Sequence, residues 1–498
     1  MISKALAPAA FAALCAFSAH AAAPDLVLKG KLTGADHQTY VDLPFQVPPG
    51  VSRITVSFSY TGKETHSTID LGLYDPNGFR GWSGGNKSQF TLSDADATPS
   101  YLPGRIVAGT WKIALGVPNM RPGAEADYEA DITFGHVDDK VAVSAFTDHP
   151  LKAGPGWYRG DFHSHSAHSD GSCDSLSGQR VPCPVFLTLQ AAKARGLDFL
   201  ALSDHNSLSQ YNVERELQPY FDTLLLIPSR EVTTFHGHAN VFGTTAFVPF
   251  RVGSPEAPDF KTVVDAAHSK GAMVSINHPN LPSDERCMGC GWTQPVDYHT
   301  IDAIEVINGG TLKALGGQVD SQFNGLSFWQ ARLNEGLHMT GIGGSDNHDA
   351  TAPEARQAPV GFPTTVVYAE NLSQAAIFDG LKKGRVFIDM AVGADRVLDL
   401  KATSEKKSAV MGETLAVSPK SNVLVDVEVN GAPGTQAEVV FNGETQPDRV
   451  PVTNSQSHVV FHLTPTTARA QWVRVNILDA AGHIQMISNP VYLNLVQN

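Results

Sequence analysis

Two histidines one residue apart, His163 and His165 in Asp161-Phe-His-Ser-His165, have a spacing that could do chemistry. Alternate side chains of a β-strand share a face, so both imidazoles can point at one metal ion. Alone, such a pair is equally compatible with hydrogen-bonded core or surface histidines. More imidazoles and carboxylates follow, at the ends of successive strand-like runs. His168-Ser-Asp170-Gly171 places a carboxylate on a turn, and the run 197–202 ends in Ser203-Asp204-His205. The run 224–227 leads into Ser229-Arg-Glu231, with Gly237-His238-Ala-Asn240 after a short link. The run 272–276 ends in Asn277-His278-Pro279, 303–307 carries Glu305, and 338–342 ends in Gly344-Ser-Asp346-Asn-His348. Imidazole and carboxylate suit zinc, manganese and iron, and a bridging carboxylate can hold two such ions close together. Two ions would acidify a shared water and neutralise charge on a scissile group, so metal-assisted hydrolysis is the expected chemistry. Each motif has a bland reading of its own: Asp204-His205 could be a turn and a helix cap, and His278 a satisfied strand-end histidine. Their joint occurrence decides for a metal centre. His236, His268 and His299 lack such placement and read as exposed or capping residues, while His168 lies within reach of the cluster and stays open.

The elements that must position these residues alternate between helix and strand over residues 155–395. A helical pattern at 184–195 ends at Gly196 before the buried run 197–202. The unit repeats at 259–270, Gly271 and 272–276, again at 327–335, Gly336 and 338–342, and a last time from the Asn371/Ser373 cap through Gly384 into 385–388. Repeated αβ units predict a parallel sheet, open or closed into a barrel, with its site on the C-terminal face of the strands. Residues 24–150 read as all-β instead, with alternation at 51–60, 110–115 and 128–134 and turn signals at Asp75-Pro-Asn-Gly78 and Pro122-Gly123. Residues 396–498 are strand-like again at 423–429, 437–441, 458–463 and 471–478. The expected fold is therefore multidomain: a central α/β unit flanked by N- and C-terminal β-sandwich domains.

Export is the expected fate of the chain. Lys4, an apolar run over 6–17 and the small-x-small site Ala19-His20-Ala21 make residues 1–21 read as a signal peptide, which predicts a periplasmic or secreted protein. Cys15 lacks the small residues that usually precede a lipidated cysteine, so no membrane anchor is expected. Four cysteines remain, Cys173, Cys183, Cys287 and Cys290. In an oxidising compartment an even number predicts two disulfides, and a Cys173–Cys183 bond would staple the loop after the first motif. Cys287-x-x-Cys290 could instead be half of a zinc site, although no second pair of ligands accompanies it. With 498 residues, 42% of them hydrophobic and 17% charged, the chain can bury several cores. A net charge of -14 and the lack of a Lys/Arg cluster argue against nucleic acid as a partner. A small-molecule ester substrate is expected, and the oligomeric state is not legible.

In order and residue type these motifs resemble the PHP (polymerase and histidinol phosphatase) superfamily of metallohydrolases. The likeness rests on Asp161-x-His-x-His165 with Ser169-Asp170-Gly171, Ser203-Asp204-His205, Glu231 with Gly237-His238, Asn277-His278-Pro279 and Ser345-Asp346-x-His348. The Glu231-Val-Thr-Thr…Gly237-His238 segment and the leader resemble the carbaryl-hydrolase-like branch. The resemblance covers the central half of the chain and implies a distorted (β/α)7 barrel that holds two or three divalent ions (zinc, manganese or iron). It further implies that His163, His165, Glu231 and Asp346 hold a first ion, and Asp170 and His205 a second, with Glu231 bridging. His238, His278 and His348 match positions that hold a third ion or touch substrate. Asp170, His205, Glu231 and Asp346 would carry catalysis, through a metal-bridging hydroxide. Asp204 would orient a neighbouring ligand. The amidohydrolase barrel also begins with HxH, but its bridging lysine has no counterpart here, where Glu231 takes that place.

Two reactions compete. Phosphoester hydrolysis is the commoner chemistry of the family and would need Arg or Lys near the ions, for which Arg230, Arg286 and Arg356 lie close to the motifs in sequence. Hydrolysis of a carbamate or carboxylic ester would instead favour an apolar pocket. A non-catalytic binding protein would be expected to have lost ligands, and every ligand position is filled.

Overall fold

A computed structural model of the chain describes residues 23–136, 145–283, 287–315, 318–391, 395–418, 420–465 and 471–495, so the leader expected over 1–21 lies outside the described residues. In the strand Val51–Tyr60, Ile54, Val56 and Phe58 turn inward between the more exposed Thr55 and Ser57. This strand joins Leu26–Thr33, Glu125–His136 and Gln89–Ser93 in one antiparallel sheet. A second sheet holds Tyr40–Val47, Gly109–Asn119, Thr68–Asp75 and Gly78–Gly84. Both sheets feed one core, which contains Phe45, Ile54, Leu73 and Trp111. A buried ion cluster docks this module on the central one: Asp96 pairs with Arg53 at 3.1 Å and with the Arg215 guanidinium, and Arg53 donates to Thr245 Oγ1.

The central helices begin and end where their caps put them. Asp259 is extended and its side chain accepts from Thr262 N–H, which starts Phe260–Ser269 and presents Phe260, Val263, Val264 and Ala267 to the core. Ser373 caps Gln374–Lys382 in the same way, and Val185–Ala194 and Leu326–Asn334 occupy the other expected helical stretches.

The expected (β/α)7 barrel is not formed. Among the described residues thirty strands stand against six α-helices, and the chain is mostly β. A closed parallel barrel needs a helical crossover between each pair of neighbouring strands. Parallel ladders link Phe199–Leu200 to Gly156–Asp161 and to Leu225–Leu226, and join Met273–Ile276, Ala303–Asn308 and Thr340–Gly344. The remaining central ladders are antiparallel, apart from isolated parallel bridges such as Ser164 with Asn347 and His205 with Glu231. Ser229–Thr234 and Gly237–Phe242 make a tight hairpin, Gly237–Phe242 runs against Met273–Ile276, and Gly156–Asp161 runs against Thr364–Ala369. The central strands thus fall into two sheets. One of these does not close on itself: Val386–Asp389 pairs with Ile484–Ser488, and the sheet continues through Gln471–Leu478, Thr435–Phe441 and Glu444–Val452 to eleven strands. The C-terminal strands are therefore part of a central sheet, not only of a flanking sandwich. A four-stranded sheet, Lys407–Val410, Val397–Ser404, Val423–Asn430 and Gln456–Leu463, shares a core with it. Among the described residues no helix is long and apolar enough to cross a membrane.

Candidate metal centre

Gly156–Asp161 ends in a buried carboxylate that organises three segments at once. Asp161 accepts from the backbone N–H groups of His163, Ser345 and Gly361. Asp346 N–H donates to His163 O and His165 N–H to Asn347 O, which holds the HxH pair against the turn that carries Asp346. Glu231 arrives from a different sheet, in the middle of the hairpin strand Ser229–Thr234 and not at the end of a parallel strand. His238 opens the return strand, Gly237–Phe242, next to it.

All nine expected ligands come together. His163 Nε2 lies 3.3 Å from both Glu231 Oε1 and Asp346 Oδ1, and His165 Nε2 lies 3.1 Å from Asp346 Oδ1. Glu231 Oε1 is 3.3 Å from His278 Nε2 and 3.4 Å from His238 Nδ1, and Glu231 Oε2 is 2.8 Å from His205 Nδ1. His205 Nε2 and His348 Nε2 reach within 3.6 Å and 3.3 Å of Asp170 Oδ1. The donor atoms group as His163, His165 and Asp346; as His165, Asp170, His205 and His348; and as Glu231, His238 and His278. His348 therefore falls beside Asp170 and His205 instead of beside His238 and His278. His168 turns away, with Nδ1 2.7 Å from Ser209 Oγ.

The residues fit divalent ions. His163 Nε2, His165 Nδ1 and Glu231 Oε2 are buried without a well-aligned hydrogen bond, although Glu231 Oε2 lies 2.8 Å from His205 Nδ1 and His163 Nε2 lies 3.3 Å from Glu231 Oε1 and Asp346 Oδ1. Buried donors that converge without satisfying one another are what a cation's ligand set requires. Two ligands also carry backbone strain, His278 at φ +25° and Asp346 at φ +51°, a conformation that costs non-glycine residues about 1–3 kcal/mol each and clusters at functional sites.

Electrostatics within the cluster is divided. Burial presses His163 toward its neutral form, yet Asp346, Glu231 and Glu305 outweigh it and hold its pKa well above the ordinary value. His165 goes the other way: burial, then His348 and His205, push it well below. For His205, burial is again outweighed by Glu231, Asp170 and Asp346, which lift it to about 9. Burial would raise the Glu231 and Asp346 carboxyls, but the imidazoles facing them hold both well below the usual carboxylate range. The cluster is thus built around two persistent anions whose partners can exchange protons for metal charge.

A further shell positions these ligands. Glu305 Oε1 lies 3.0 Å from His163 Nδ1, and Glu305 Oε2 accepts from His278 N–H and from Asn308 Nδ2. Gly344 allows this approach, since a Cβ there would sit 2.3 Å from Glu305 Oε1. Asn308 also donates to Asp346, and Asn277 Nδ2 donates to Glu231 at 2.8 Å. Asp204 is fully buried and accepts from Ser166 and Ser169, which fixes the turn that bears Asp170. The one sequence signal for Glu305 as a partner of the ligands is an acid inside an otherwise apolar strand, a placement that demands a buried partner.

Seven of the ligands, all but His163 and His165, line a cavity of about 500 Å³ with two cations on its wall, Lys313 and Arg356, the latter anchored by Asp349. No sequence signal marks Lys313. Arg230 does not serve as a clamp: it is buried, donates to Val248 O and lies over the Phe247 ring. Arg286 lies outside the described residues. Leu281, Pro282, Met288 and Leu315 form an apolar part of the same wall. Cys287 and Cys290 are disulfide-bonded, whereas Cys173 and Cys183 are neighbouring buried free thiols, so the expected second disulfide is not formed. Burial, with the neighbouring Cys173 thiol, pushes Cys183 up to about 12.

No family model and no curated protein matches the chain. Among solved structures, it is similar to a CARDB domain from Pyrococcus furiosus (16% identity, 20% of this chain and 98% of that one, TM-score 0.14). It is also similar to the Yersinia pseudotuberculosis-derived mitogen (14% identity, 22% of this chain and 87% of that one, TM-score 0.15). Likenesses at such TM-scores bear on neither the fold nor the activity.

Proposed function

We propose that the chain is an exported metal-dependent phosphoesterase of the PHP type that hydrolyses small phosphate mono- or diesters. The observation that carries this reading is a nine-residue ligand cluster, seven of whose members line a cavity that also holds two cations, Lys313 and Arg356. Divalent ions held by His163, His165, Asp170, His205, Glu231, His238, His278, Asp346 and His348 would acidify water and offset charge on the scissile group. The chain's own groups supply the rest. Lys313 and Arg356 attract and orient an anion, and Glu305, Asn277, Asn308 and Asp204 keep the ligands in place. Burial of His163, His165, Glu231, His238 and His278 keeps bulk water from the inner part of the cluster, which strengthens the charge interactions there.

The second reading is carbamate or carboxylic ester hydrolysis, supported by the apolar wall of Leu281, Pro282, Met288 and Leu315. One panel separates the two: nitrophenyl phosphate mono- and diesters against nitrophenyl acetate and naphthyl carbamate. The phosphate esters are expected to turn over, with Lys313→Ala lowering their kcat/KM about ten-fold or more while leaving neutral esters unchanged. Cleavage of the carbamate with the phosphate esters left intact would reverse the assignment. Full activity in a metal-free His163→Ala/Asp346→Ala variant would end both readings.

A further inference from the structure

The cysteine pair left over from the metal ligands lies against them. Cys290 is buried, and its Sγ is 3.9 Å from His238 Nδ1, the same nitrogen that is 3.4 Å from Glu231 Oε1. The ligand atoms of His238, Cys287 and Cys290 all lie within 4.8 Å of one another. The segment's backbone fixes this arrangement. Trp292 N–H donates to Pro279 O and Thr293 N–H to His236 O, so the loop is clasped between the residues after His278 and the hairpin turn before His238. At Gly289, φ +84°, a Cβ would come within 2.2 Å of Thr234 O, so this approach requires glycine. Cys287 lines the cavity, which gives a soluble reductant access to the bond.

We propose that Cys287 and Cys290 are redox-gated ligands of the metal centre, their thiolates joining His238 on the ion held beside Glu231 once the disulfide is opened. The inference rests on the metal-centre reading above. A disulfide sulfur is a poor donor, so the oxidised pair leaves that ion to imidazole and carboxylate, with a position open for water or substrate. Two thiolates added to the His238 and His278 imidazoles and the Glu231 carboxylate make five protein ligands with no position left for water or substrate, and filled shells are structural and inert. The oxidised chain is then the active form and the reduced chain the resting one, in keeping with an exported enzyme. Opening by a phosphine balances as disulfide plus phosphine plus water giving two thiols and phosphine oxide. The two thiol protons pass to solvent when the thiolates bind.

Cobalt(II)-loaded full-length protein provides the test, because thiolate ligation adds a near-ultraviolet charge-transfer band that imidazole and carboxylate do not. The band is expected to be absent as prepared and to appear when tris(2-carboxyethyl)phosphine exposes two additional thiols. Nitrophenyl phosphate hydrolysis should fall at least ten-fold at the same time and recover on reoxidation with oxidised glutathione. Cys287→Ser should show a weaker band without reductant, and Cys287→Ser/Cys290→Ser none under any condition while still binding cobalt. Bound cobalt with no charge-transfer band after full reduction would overturn the thiolate assignment and leave the metal centre standing. A band present before reduction would overturn the gate. Failure to bind cobalt in either state would overturn the metal-centre reading itself.

Discussion

Glu305→Gln is the substitution that most directly tests how the metal centre is held in register. Glu305 Oε1 faces His163 Nδ1 at 3.0 Å, and a carboxylate can only accept, so Nδ1 keeps its proton and Nε2, facing Glu231 and Asp346, is the nitrogen whose proton an ion would displace. Glutamine is nearly isosteric. Its carbonyl can keep the bonds from His278 N–H and Asn308 Nδ2, which leaves the amide NH2 opposite His163 Nδ1. Two donors cannot face each other, so the imidazole must move its proton to Nε2 and aim an N–H at the ion's position, or swing away. Loss of such a supporting partner costs about 10- to 100-fold in metal affinity, or about 1.4 to 2.8 kcal/mol. The fold should lose no more than about 1 kcal/mol for one altered hydrogen bond. Competitive titration of the purified protein with a chelator, followed by metal analysis, reads the affinity, and thermal melts of the metal-free protein read the fold. A Glu305→Gln protein that binds its ions as tightly as the parent would refute this account of His163.

Three other outcomes are expected. Chelation should abolish hydrolysis and lower Tm, and restoring an ion at a hundred times its Kd should return about 2.7 kcal/mol of stability, visible in calorimetry as a concentration-dependent Tm. At the seam between the N-terminal and central modules, burial would raise the Asp96 carboxyl, but Arg53, Arg215 and Ser93 outweigh it and hold its pKa below the ordinary value. A group depressed in this way stabilises fully above its unfolded pKa of about 3.9 and loses its contribution as pH falls further, so melts should show the seam weakening only under acid. Asp96→Asn should remove about 3–5 kcal/mol at neutral pH, because it strands two arginines in the seam, and should flatten that acid limb. Trp329, fully buried with Nε1–H donating to Met339 O, should cost about 3–5 kcal/mol when replaced by alanine, measured by denaturant titration, with metal binding retained at low temperature.

The sequence carried the ligands, the helices and most strands because their signals are local. Side-chain alternation put His163 and His165 on one face, Asp259 and Ser373 marked helix starts, and glycine marked their ends. Topology is where local signals mislead. Strand-like runs joined by helices read as parallel, yet pairing direction is set by which edges meet in space, and neither Gly156–Asp161 against Thr364–Ala369 nor Val386–Asp389 against Ile484–Ser488 has a signal in either strand alone. Five runs ending in acids and imidazoles suggested one barrel rim, whereas Glu231 lies inside a hairpin and His238 at the start of its return strand.

What the sequence by itself determined is therefore the candidate ligand set: which imidazoles and carboxylates come together, and the hydrolysis proposed for them. Which of these side chains group together was a tertiary matter, since His348 is 178 positions from Asp170 in numbering, yet its Nε2 lies 3.3 Å from Asp170 Oδ1. So was the identity of the cations in the cavity, where Arg230 turns inward to Val248 and Lys313 lines the wall instead. The placement of Cys290 against His238 was decided the same way, by a loop clasped between two segments distant in sequence. Residue type fixes what an atom can bind, but only packing fixes the few ångströms over which binding happens.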